Sequence, residues 1–348
     1  RMKRMAIIFG SFVLSWIFLA GIQEETPFYI PEKWPKPHYD FTQNPHSKDK
    51  FELGRTLFYD PDLSRDSTIS CANCHLQYSG FTHIDHSLSH GIDGKIGTRN
   101  APVLINLAWQ QFFHWDGGVS SLTKQAINPL THAKEMDNRL DEVLRRLNQS
   151  SFYRNRFYLA FGDSVIETAS LLKALASFTV SLVSANSKYD QVKRGESSFT
   201  NQEKSGYQLF KKYCASCHQE PLFMKNEFKS NGIALVPALN DYGRMGITNR
   251  KEDSLLFKIP TLRNVEFSFP YMHDGRYKHL KEVLNHYGNL HEQQPYFSKE
   301  LKKLNRVLSS NEQKDLIAFL KTLSDQEFLF NPQFKYPKNE RNASFQKN

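Results

Sequence analysis

Apolar residues recur with a helical period in several parts of the chain. The spacing is three or four residues in Phe51–Phe58, Asp137–Asn148 and Val165–Ala185, which predicts amphipathic or buried α-helices. Strict alternation of apolar and polar residues, which is typical of half-buried strands, is scarce. The pattern therefore predicts a mainly α fold with long loops and little β structure.

Start signals predict two more helices in the second half of the chain. Thr200-Asn-Gln-Glu203 forms a capping box, in which the two side chains accept backbone N–H groups of the first helical turn. Ser310-Asn-Glu-Gln313 predicts another helix that continues through Leu323. Residues 24–46, rich in Pro and aromatic side chains, and the polar tail 331–348 are expected to be extended.

The first 23 residues are of a different kind. Basic residues, Arg1–Arg4, precede the apolar run Met5–Ile22, which as a helix would span about 27 Å. That length suits a bilayer core, whereas the basic flank and the small residues Ala20 and Gly21 suit an export signal. We favour an export signal, with a membrane anchor as the alternative. Both place the remaining chain in the periplasm.

Length, composition and charge exclude several classes of protein. The chain has 348 residues, more than one hydrophobic core usually organises, so two domains are expected. Hydrophobic residues make up 39%, which excludes a disordered or collagen-like chain. The net charge is +9, but Lys and Arg are interspersed with Asp and Glu and no nucleic-acid motif is present. Nucleic acid is therefore not an expected partner.

The four cysteines occur in two CxxCH motifs, Cys71-Ala-Asn-Cys74-His75 and Cys214-Ala-Ser-Cys217-His218. Such a motif holds two thiols that can form thioethers with a haem, and the next His can bind the iron. The alternative is one zinc ion bound by four thiolates. The motifs are 143 residues apart and each is followed by His. They therefore favour two covalent haem c groups, with His75 and His218 as iron ligands.

A similar helix precedes each haem motif. Both helices contain Gly-x-x-Leu-Phe, at Gly54–Phe58 and at Gly206–Phe210, which indicates an internal repeat of one structural unit. We therefore expect two domains, residues 24–190 and 191–330, with one haem each. The polar segment Ser187–Ser198 provides the boundary.

Further segments resemble the bacterial di-haem cytochrome c peroxidase and MauG superfamily. They are Arg99-Asn-Ala-Pro102, His114-Trp-Asp-Gly117, Gln125-Ala126, Pro129-Leu130, Glu135-Met136, Pro260–Val265 and Pro270–Gly275. The resemblance extends from about Phe51 to Leu323. It implies two cytochrome c-like α domains, in which the N-terminal haem reacts with peroxide and the C-terminal haem receives electrons.

The resemblance also implies catalytic roles. Trp115 matches the tryptophan that conducts electrons or holes between the haems, although a core indole is the simpler interpretation of most Trp residues. Gln125 and Glu135 match the distal positions over the peroxide-binding iron, and Pro129 shapes the same pocket. A carboxylate there can take a proton from peroxide and return it to the departing oxygen.

One calcium ion is implied as well. Asn100 matches the family's side-chain ligand, and backbone oxygens are expected from Ser268 and Pro270. Such hard oxygen donors suit calcium. Without the resemblance, Asn100 would be interpreted as part of an ordinary turn.

Two positions depart from the usual peroxidase pattern. The loop histidine that caps the first iron in many peroxidases aligns near Asp93, so we expect an open iron, with His83, His86 and His90 as nearby alternatives. At the second haem, Tyr287 stands where electron-transferring peroxidases have Met, as in MauG.

A phenolate ligand stabilises ferric iron and lowers the reduction potential, whereas a thioether raises it. We favour Tyr287 as the ligand of the second iron. His286 and Met272 are the alternatives.

The favoured function is reduction of hydrogen peroxide to water by an exported di-haem peroxidase. Its electrons would come from a small redox protein, a cytochrome c or a cupredoxin. One alternative is MauG-like oxidation of a protein or another large substrate, and another is a di-haem electron carrier without turnover. The resemblance also implies a homodimer, although the sequence shows no interface.

Overall fold

The computed structural model describes residues 28–290 and 299–337. The predicted export signal or anchor and the end of the polar tail lie outside these residues. Within the described part, no helix is both long enough and apolar enough to cross a membrane. Strand structure there is limited to isolated bridges and one short antiparallel pair, β1 (Phe228–Lys229) and β2 (Phe257–Lys258). The prediction of a mainly α fold is confirmed.

The helices of the described residues connect through long loops. In chain order they are α1 (Lys48–Phe58), α2 (Cys71–Cys74), α3 (Leu122–Gln125), α4 (Ile127–Thr131), α5 (Leu140–Gln149), α6 (Ser151–Phe161), α7 (Thr168–Val180), α8 (Lys188–Arg194), α9 (Asn201–Tyr213), α10 (Met245–Thr248), α11 (Leu280–Gly288), α12 (Lys299–Leu304), α13 (Ser310–Lys321) and α14 (Gln326–Phe330). The periodic segments of the sequence correspond to α1, which begins three residues before the predicted range, to α5, which ends one residue after it, and to α7, which lies within it.

The predicted capping boxes have different outcomes. Thr200 caps α9 and Glu203 accepts its backbone N–H, as predicted. The box predicted at the start of α13 was wrong by one residue, because Ser309 is the cap and pairs with Glu312. A box at Ser310 would have used Gln313, but that amide is buried and donates to Asn285 instead.

A glycine lies at the closest approach of each principal helix pair. A Cβ at Gly54 of α1 would lie 2.0 Å from the backbone oxygen of Ala174 in α7. A Cβ at Gly206 of α9 would lie 1.9 Å from the backbone oxygen of Asp315 in α13. Only glycine permits backbones to approach this closely. The same close helix contact in both halves supports the predicted internal repeat.

Within the described residues, three hydrophobic clusters form the core. One lies within the N-terminal half around α1, α5, α6 and α7, and another lies around α9 and α13. The third joins the halves, because Phe58 and Phe178 pack in the same cluster as Leu222 and Phe328. The halves therefore share a continuous apolar contact, which is the largest favourable contribution to their association.

The segment predicted as a polar boundary contains a helix. Ser187 caps α8 through Asp190, and Tyr189 is buried against Phe223 and Phe319 of the C-terminal half. Asp190 also receives two hydrogen bonds from the fully buried Arg263. The border predicted at residue 190 thus falls inside an element that packs with the C-terminal half.

The beginning of the tail is not simply extended, so that prediction was wrong for residues 331–337. Pro332–Phe334 forms a 3₁₀ turn, and Phe334 is buried in the cluster that joins the halves. Arg55 donates to the backbone oxygen of Gln333 and Tyr59 donates to that of Phe334. The chain therefore returns to the N-terminal half after α14 because Phe334 gains a buried site there.

Candidate functional site

Two cavities of the described part contain the residues predicted to carry chemistry. The first cavity is lined by residues that include Cys71, Cys74, His75, His90, Gln125, Pro129 and Glu135. The second, larger cavity is lined by residues that include Asn100, Trp115, Cys214, Cys217, His218, Ser268, Pro270 and Tyr287. Both are partly open. Each predicted site residue therefore lines one of two cavities.

The thiols of the first cavity are held by the single turn of α2. Ser70 and Asn73 form a capping box that begins this turn. Both thiols are free of disulfide bonds. Burial raises the pKa of Cys71 to about 12 and that of Cys74 to about 11. The thiols are thus protonated at neutral pH and held side by side on one wall.

His75 has its imidazole oriented by the backbone. Its Nδ1 lies 2.7 Å from the carbonyl oxygen of Phe81, and a carbonyl can only accept, so Nδ1 carries the proton. Nε2 is left with a lone pair, the arrangement found in histidines that bind metals. Burial lowers the pKa of His75 to about 4. The ring is therefore neutral and able to act as a ligand.

The second motif repeats this local structure. Nδ1 of His218 lies 3.2 Å from the carbonyl oxygen of Phe223 and 3.0 Å from that of Pro260. Burial lowers the pKa of His218 to about 4. Phe81 and Phe223 both adopt positive φ, at 58° and 53°, which is rare for bulky residues. Both halves thus accept an unfavourable backbone conformation where a carbonyl faces the histidine.

Glu135, Gln125 and Pro129 lie together in the first cavity, as the resemblance implied. Gln125 ends α3 and Pro129 lies in α4. The Glu135 loop is tied on both sides, because its backbone N–H donates to His132 and its carbonyl accepts from Ile92 at 2.8 Å. Burial raises the pKa of Glu135. A partly buried carboxyl group with a raised pKa therefore lines the same cavity as His75.

The loop expected to carry a capping histidine has a different arrangement. Asp93, the aligned position, lies at the surface and pairs with Arg65 at 2.7 Å. The imidazoles of His83, His86 and His90 stack in series, with ring centroids 3.7 and 3.6 Å apart. Of these three histidines, His90 lines the first cavity. His90 is therefore the alternative ligand that the geometry retains.

The three candidate ligands of the second iron differ in their surroundings. Tyr287 lines the second cavity together with His218, and burial raises its pKa. His286 uses both ring nitrogens, since Nε2 donates to the oxygen of Asn231 at 2.7 Å and Nδ1 lies 3.2 Å from Tyr277 Oη. Met272 lines the cavity, and its sulfur accepts a contact from Asn231 at 3.7 Å. The hydrogen bonds disfavour His286 and leave Tyr287 and Met272.

Trp115 is fixed between the two halves of the chain. Its Nε1 donates to the backbone oxygen of Asn100 at 2.8 Å, and its own carbonyl accepts from Lys258 of β2 at 2.7 Å. The preceding His114 lines the second cavity and lies close enough to His75 to lower its pKa, although burial is the larger cause. The His-Trp pair therefore spans the region between the cavities.

The residues predicted to bind calcium share one wall of the second cavity. Asn100 donates through Nδ2 to the oxygen of Ser87 at 3.1 Å and through its backbone to His273 at 2.7 Å. Its Oδ1 has no donor in the described part of the chain. Ser268 and Pro270 line the same cavity. Oxygen donors from both halves are thus available to a hard cation.

The residues present fit covalent haem. Each cavity combines two reduced thiols, a neutral histidine with an oriented Nε2 and an apolar wall, which are the groups that attachment of haem c requires. The single zinc site considered above was wrong, because the two thiol pairs line different cavities. Among the described residues, no three His, Cys, Asp or Glu side chains form a metal-binding group.

Two features near Trp115 were not found from the sequence. Arg99 donates two hydrogen bonds to Asp241, at 2.6 and 2.7 Å, and one to Asp116 at 2.6 Å, which joins the two halves. Lys258 is partly buried, donates to the amide oxygen of Gln110 at 2.8 Å and has no carboxylate within ion-pair distance in the described part of the chain. The only signal was a lysine within the apolar segment Leu255–Pro260.

Comparison with known proteins gives consistent results. Residues 48–198 match the family model described as di-haem cytochrome c peroxidase. Cytochrome c551 peroxidase of Nitrosomonas europaea is 33% identical and covers 84% of each chain. MauG, a methylamine utilization protein of Methylorubrum extorquens, is 36% identical and covers 85% of this chain and 83% of its own.

A solved structure is similar to this chain over nearly all of the solved chain's length. It is a MauG-like protein associated with microbial copper homeostasis, with a TM-score of 0.81 and 31% identity over 90% of this chain and 99% of that chain. The diheme peroxidase BthA of Burkholderia thailandensis has a TM-score of 0.71 at 20% identity. This second likeness supports the fold alone.

Proposed function

Because the chain belongs to the family of di-haem cytochrome c peroxidases and MauG proteins, we propose that it is a periplasmic peroxidase that reduces hydrogen peroxide to water. One haem c is attached in each cavity, at Cys71 and Cys74 and at Cys214 and Cys217. The haem of the first cavity supplies the iron that exchanges electrons with peroxide. The basic and apolar leader of residues 1–23 supports the periplasmic location.

The observation that carries this proposal is the position of Glu135 in the first cavity. A carboxyl group there has no use in a protein that only relays electrons, because electron transfer requires no proton donor. Its pKa is raised by burial, which brings the group nearer to the pH range in which it can both accept and donate a proton. Gln125 adds a neutral donor and acceptor in the same cavity.

The residues of the first cavity have different roles in O–O cleavage. With haem in the cavity, Glu135 would accept a proton from one oxygen of peroxide and deliver it to the other, which would leave as water. Gln125 orients peroxide through its amide, and Pro129 limits the space available. Two electrons and two protons convert one peroxide to two water molecules.

The second cavity and Trp115 provide the route for electrons. The indole N–H donates to Asn100 of one half and the backbone carbonyl of Trp115 accepts from Lys258 of the other, so the position of Trp115 is defined relative to each half. An electron from a small redox protein enters at the C-terminal half, reaches the second cavity and continues past Trp115. Asn100, Ser268 and Pro270 would hold the calcium ion, which would fix Asn100, the residue whose backbone oxygen accepts from the Trp115 indole.

The proposal is tested with the purified holoprotein. Stopped-flow spectroscopy should show oxidation of a reduced cytochrome c or cupredoxin on addition of peroxide, with two electrons consumed per peroxide. Trp115→Phe should slow this turnover and leave both haems attached. A protein that carries both haems and consumes no peroxide, even after one-electron reduction, would be an electron carrier and would reject the proposal.

A second candidate function is MauG-like oxidation of a large substrate. Tyr287 in the second cavity supports it, since a phenolate ligand stabilises the oxidised iron. Two relatives named MauG, from Methylorubrum extorquens and Methylophilus methylotrophus, are 36% and 33% identical. In this function Trp115 conducts a hole toward the second cavity, and electrons are withdrawn from a protein at the surface.

Replacement of Tyr287 tests whether this residue is a ligand of the second iron. Tyr287→Met should raise the reduction potential of one haem, because a thioether favours the reduced iron. Spectroelectrochemical titration measures both potentials in one sample. An unchanged pair of potentials rejects Tyr287 as a ligand and removes the structural support for the second candidate function.

A further inference from the structure

The charged residues of the two cavities have opposite signs. The lining of the first cavity includes the carboxyl group of Glu135 and no Lys or Arg among the described residues. The lining of the second includes three cations, Lys229, Lys258 and Arg306, and no Asp or Glu from the described part of the chain. The second cavity is therefore suited to a ligand that brings negative charge.

Lys258 differs from the other two cations in having a neutral partner. Arg306 pairs with Glu312 at 2.9 Å and Lys229 lies 3.9 Å from Glu300. The ammonium of Lys258 donates to the amide oxygen of Gln110 at 2.8 Å. It has no carboxylate within ion-pair distance in the described ranges. A buried ammonium without an anion is costly.

Burial lowers the pKa of Lys258 to about 8. The ammonium is still charged at neutral pH, although its surroundings disfavour the charged form. His114 lines the same cavity, and the nearby ammonium contributes to lowering its pKa, after burial and Arg99. No neighbouring side chain of the described residues supplies the missing negative charge.

We propose that Lys258 is the buried counter-cation of a haem propionate in the second cavity and raises the reduction potential of that haem. This inference rests on the proposed function, since it requires haem in the cavity. Haem c carries two carboxylates that are not used in attachment. A fixed positive charge favours the form with one more electron, and its effect is large where water is excluded.

The position of Lys258 links this charge to the electron route. Its backbone N–H donates to Trp115 at 2.7 Å, while β2 pairs with β1 of the same wall. One residue thus holds the carbonyl of the bridging tryptophan and, in this proposal, sets the potential of the second haem, from which electrons continue past Trp115. Lys258 is a positioning residue, because it acts on the reaction through the haem and Trp115.

The experiment measures both reduction potentials by spectroelectrochemistry in Lys258→Met, Lys258→Arg and Lys229→Met holoproteins. Lys258→Met should reduce the equilibrium constant for reduction of the second haem tenfold or more, which is about 59 mV for one electron. Lys258→Arg should restore most of the potential. Lys229→Met is the matched control on the paired strand and should give a clearly smaller shift, since its side chain is 36% exposed and has Glu300 nearby.

A second variant is used if Lys258→Met does not fold or acquire both haems. Gln110→Glu places a carboxylate beside the ammonium and should lower the second potential in the same direction. An unchanged second potential in both variants, or equal shifts in Lys258→Met and Lys229→Met, overturns the inference. Wild-type protein without attached haem or without peroxide turnover would instead reject the proposed function.

Discussion

At the scale of single residues, the chemistry depends on groups whose protonation is set by burial. His75 and His218 are held neutral, and a backbone carbonyl fixes the proton on Nδ1 of each. Glu135 has the opposite shift, because burial raises its pKa. The motifs CxxCH predict the ligands directly from local spacing. The role proposed for Lys258 could not be predicted, because it depends on tertiary contacts: within the described ranges, no carboxylate lies within ion-pair distance of this ammonium.

The first prediction concerns the carboxyl group of Glu135. Glu135→Gln removes the proton acceptor and preserves shape, so peroxide turnover should fall by about 10²–10⁴-fold. Both haems should remain attached, as measured by the pyridine haemochrome spectrum. Glu196→Gln, which changes a surface carboxylate paired with Arg194, is the control and should retain turnover. Wild-type rates in Glu135→Gln would exclude Glu135 as the acid–base group.

The pH dependence of turnover follows from the same group. Glu135 must be ionised to accept a proton, and burial raises its pKa above the ordinary glutamate value of about 4.3. Turnover should therefore be fully present above the raised pKa and be lost as the pH falls through it. Steady-state kcat/KM measured from pH 4 to 8 should show this acid limb. The limb should be absent from the residual activity of Glu135→Gln, and a limb retained in that variant would assign it to another group.

At the scale of elements, each half is built on one close helix crossing. Gly54 and Gly206 face backbone oxygens, and four residues later Phe58 and Phe210 are fully buried. The repeated Gly-x-x-Leu-Phe segment was visible in the sequence, and the crossing explains it. The short α2 and α4 were not predictable as elements, because four or five residues are too few to show a period, and the loop of Glu135 is held by the distant Ile92.

The helix crossing gives a stability prediction. Gly206→Ala would place a Cβ 1.9 Å from the oxygen of Asp315, so α9 and α13 must separate. Overpacking of this kind costs about 1–3 kcal/mol, which should lower the thermal midpoint by about 2 °C or more.

Differential scanning calorimetry of the holoproteins measures the midpoint. Gly246→Ala in α10 is the control, because no atom lies within 4 Å of the added Cβ. It should leave the midpoint nearly unchanged. Equal midpoints for wild type and Gly206→Ala would contradict the close crossing.

At the scale of the whole molecule, distant segments hold the two halves together. Arg99 is bound to Asp241, and Arg55 donates to Gln333, which is 278 residues away. The sequence predicted two repeated halves and the residues of each cavity. It could not predict the return of Phe334 to the N-terminal half, since contacts across such separations leave no local pattern.

Calcium should stabilise the joined halves. Its predicted donors come from residue 100 and from residues 268 and 270, so bound calcium ties the two halves, and a chelator should lower the thermal midpoint of wild-type protein. At a free concentration 100-fold above Kd, binding contributes about 2.7 kcal/mol.

Calorimetry with and without chelator, together with elemental analysis, tests this prediction. Added calcium should restore the wild-type midpoint. Asn100→Ala should have a lower midpoint that responds to neither chelator nor calcium. A wild-type protein that retains no calcium and does not respond to the chelator would show that Asn100 has only a structural role.

The central claim is that two haems are attached and that the iron of the first cavity is accessible to oxidant. Electron paramagnetic resonance of the resting ferric holoprotein tests it most directly, because it distinguishes an open iron from one with two strong ligands. The account predicts a high-spin signal from the first haem together with a six-coordinate signal from the second. Exclusively low-spin iron that stays inert to peroxide after one-electron reduction, as permanent capping by His90 would produce, would contradict it.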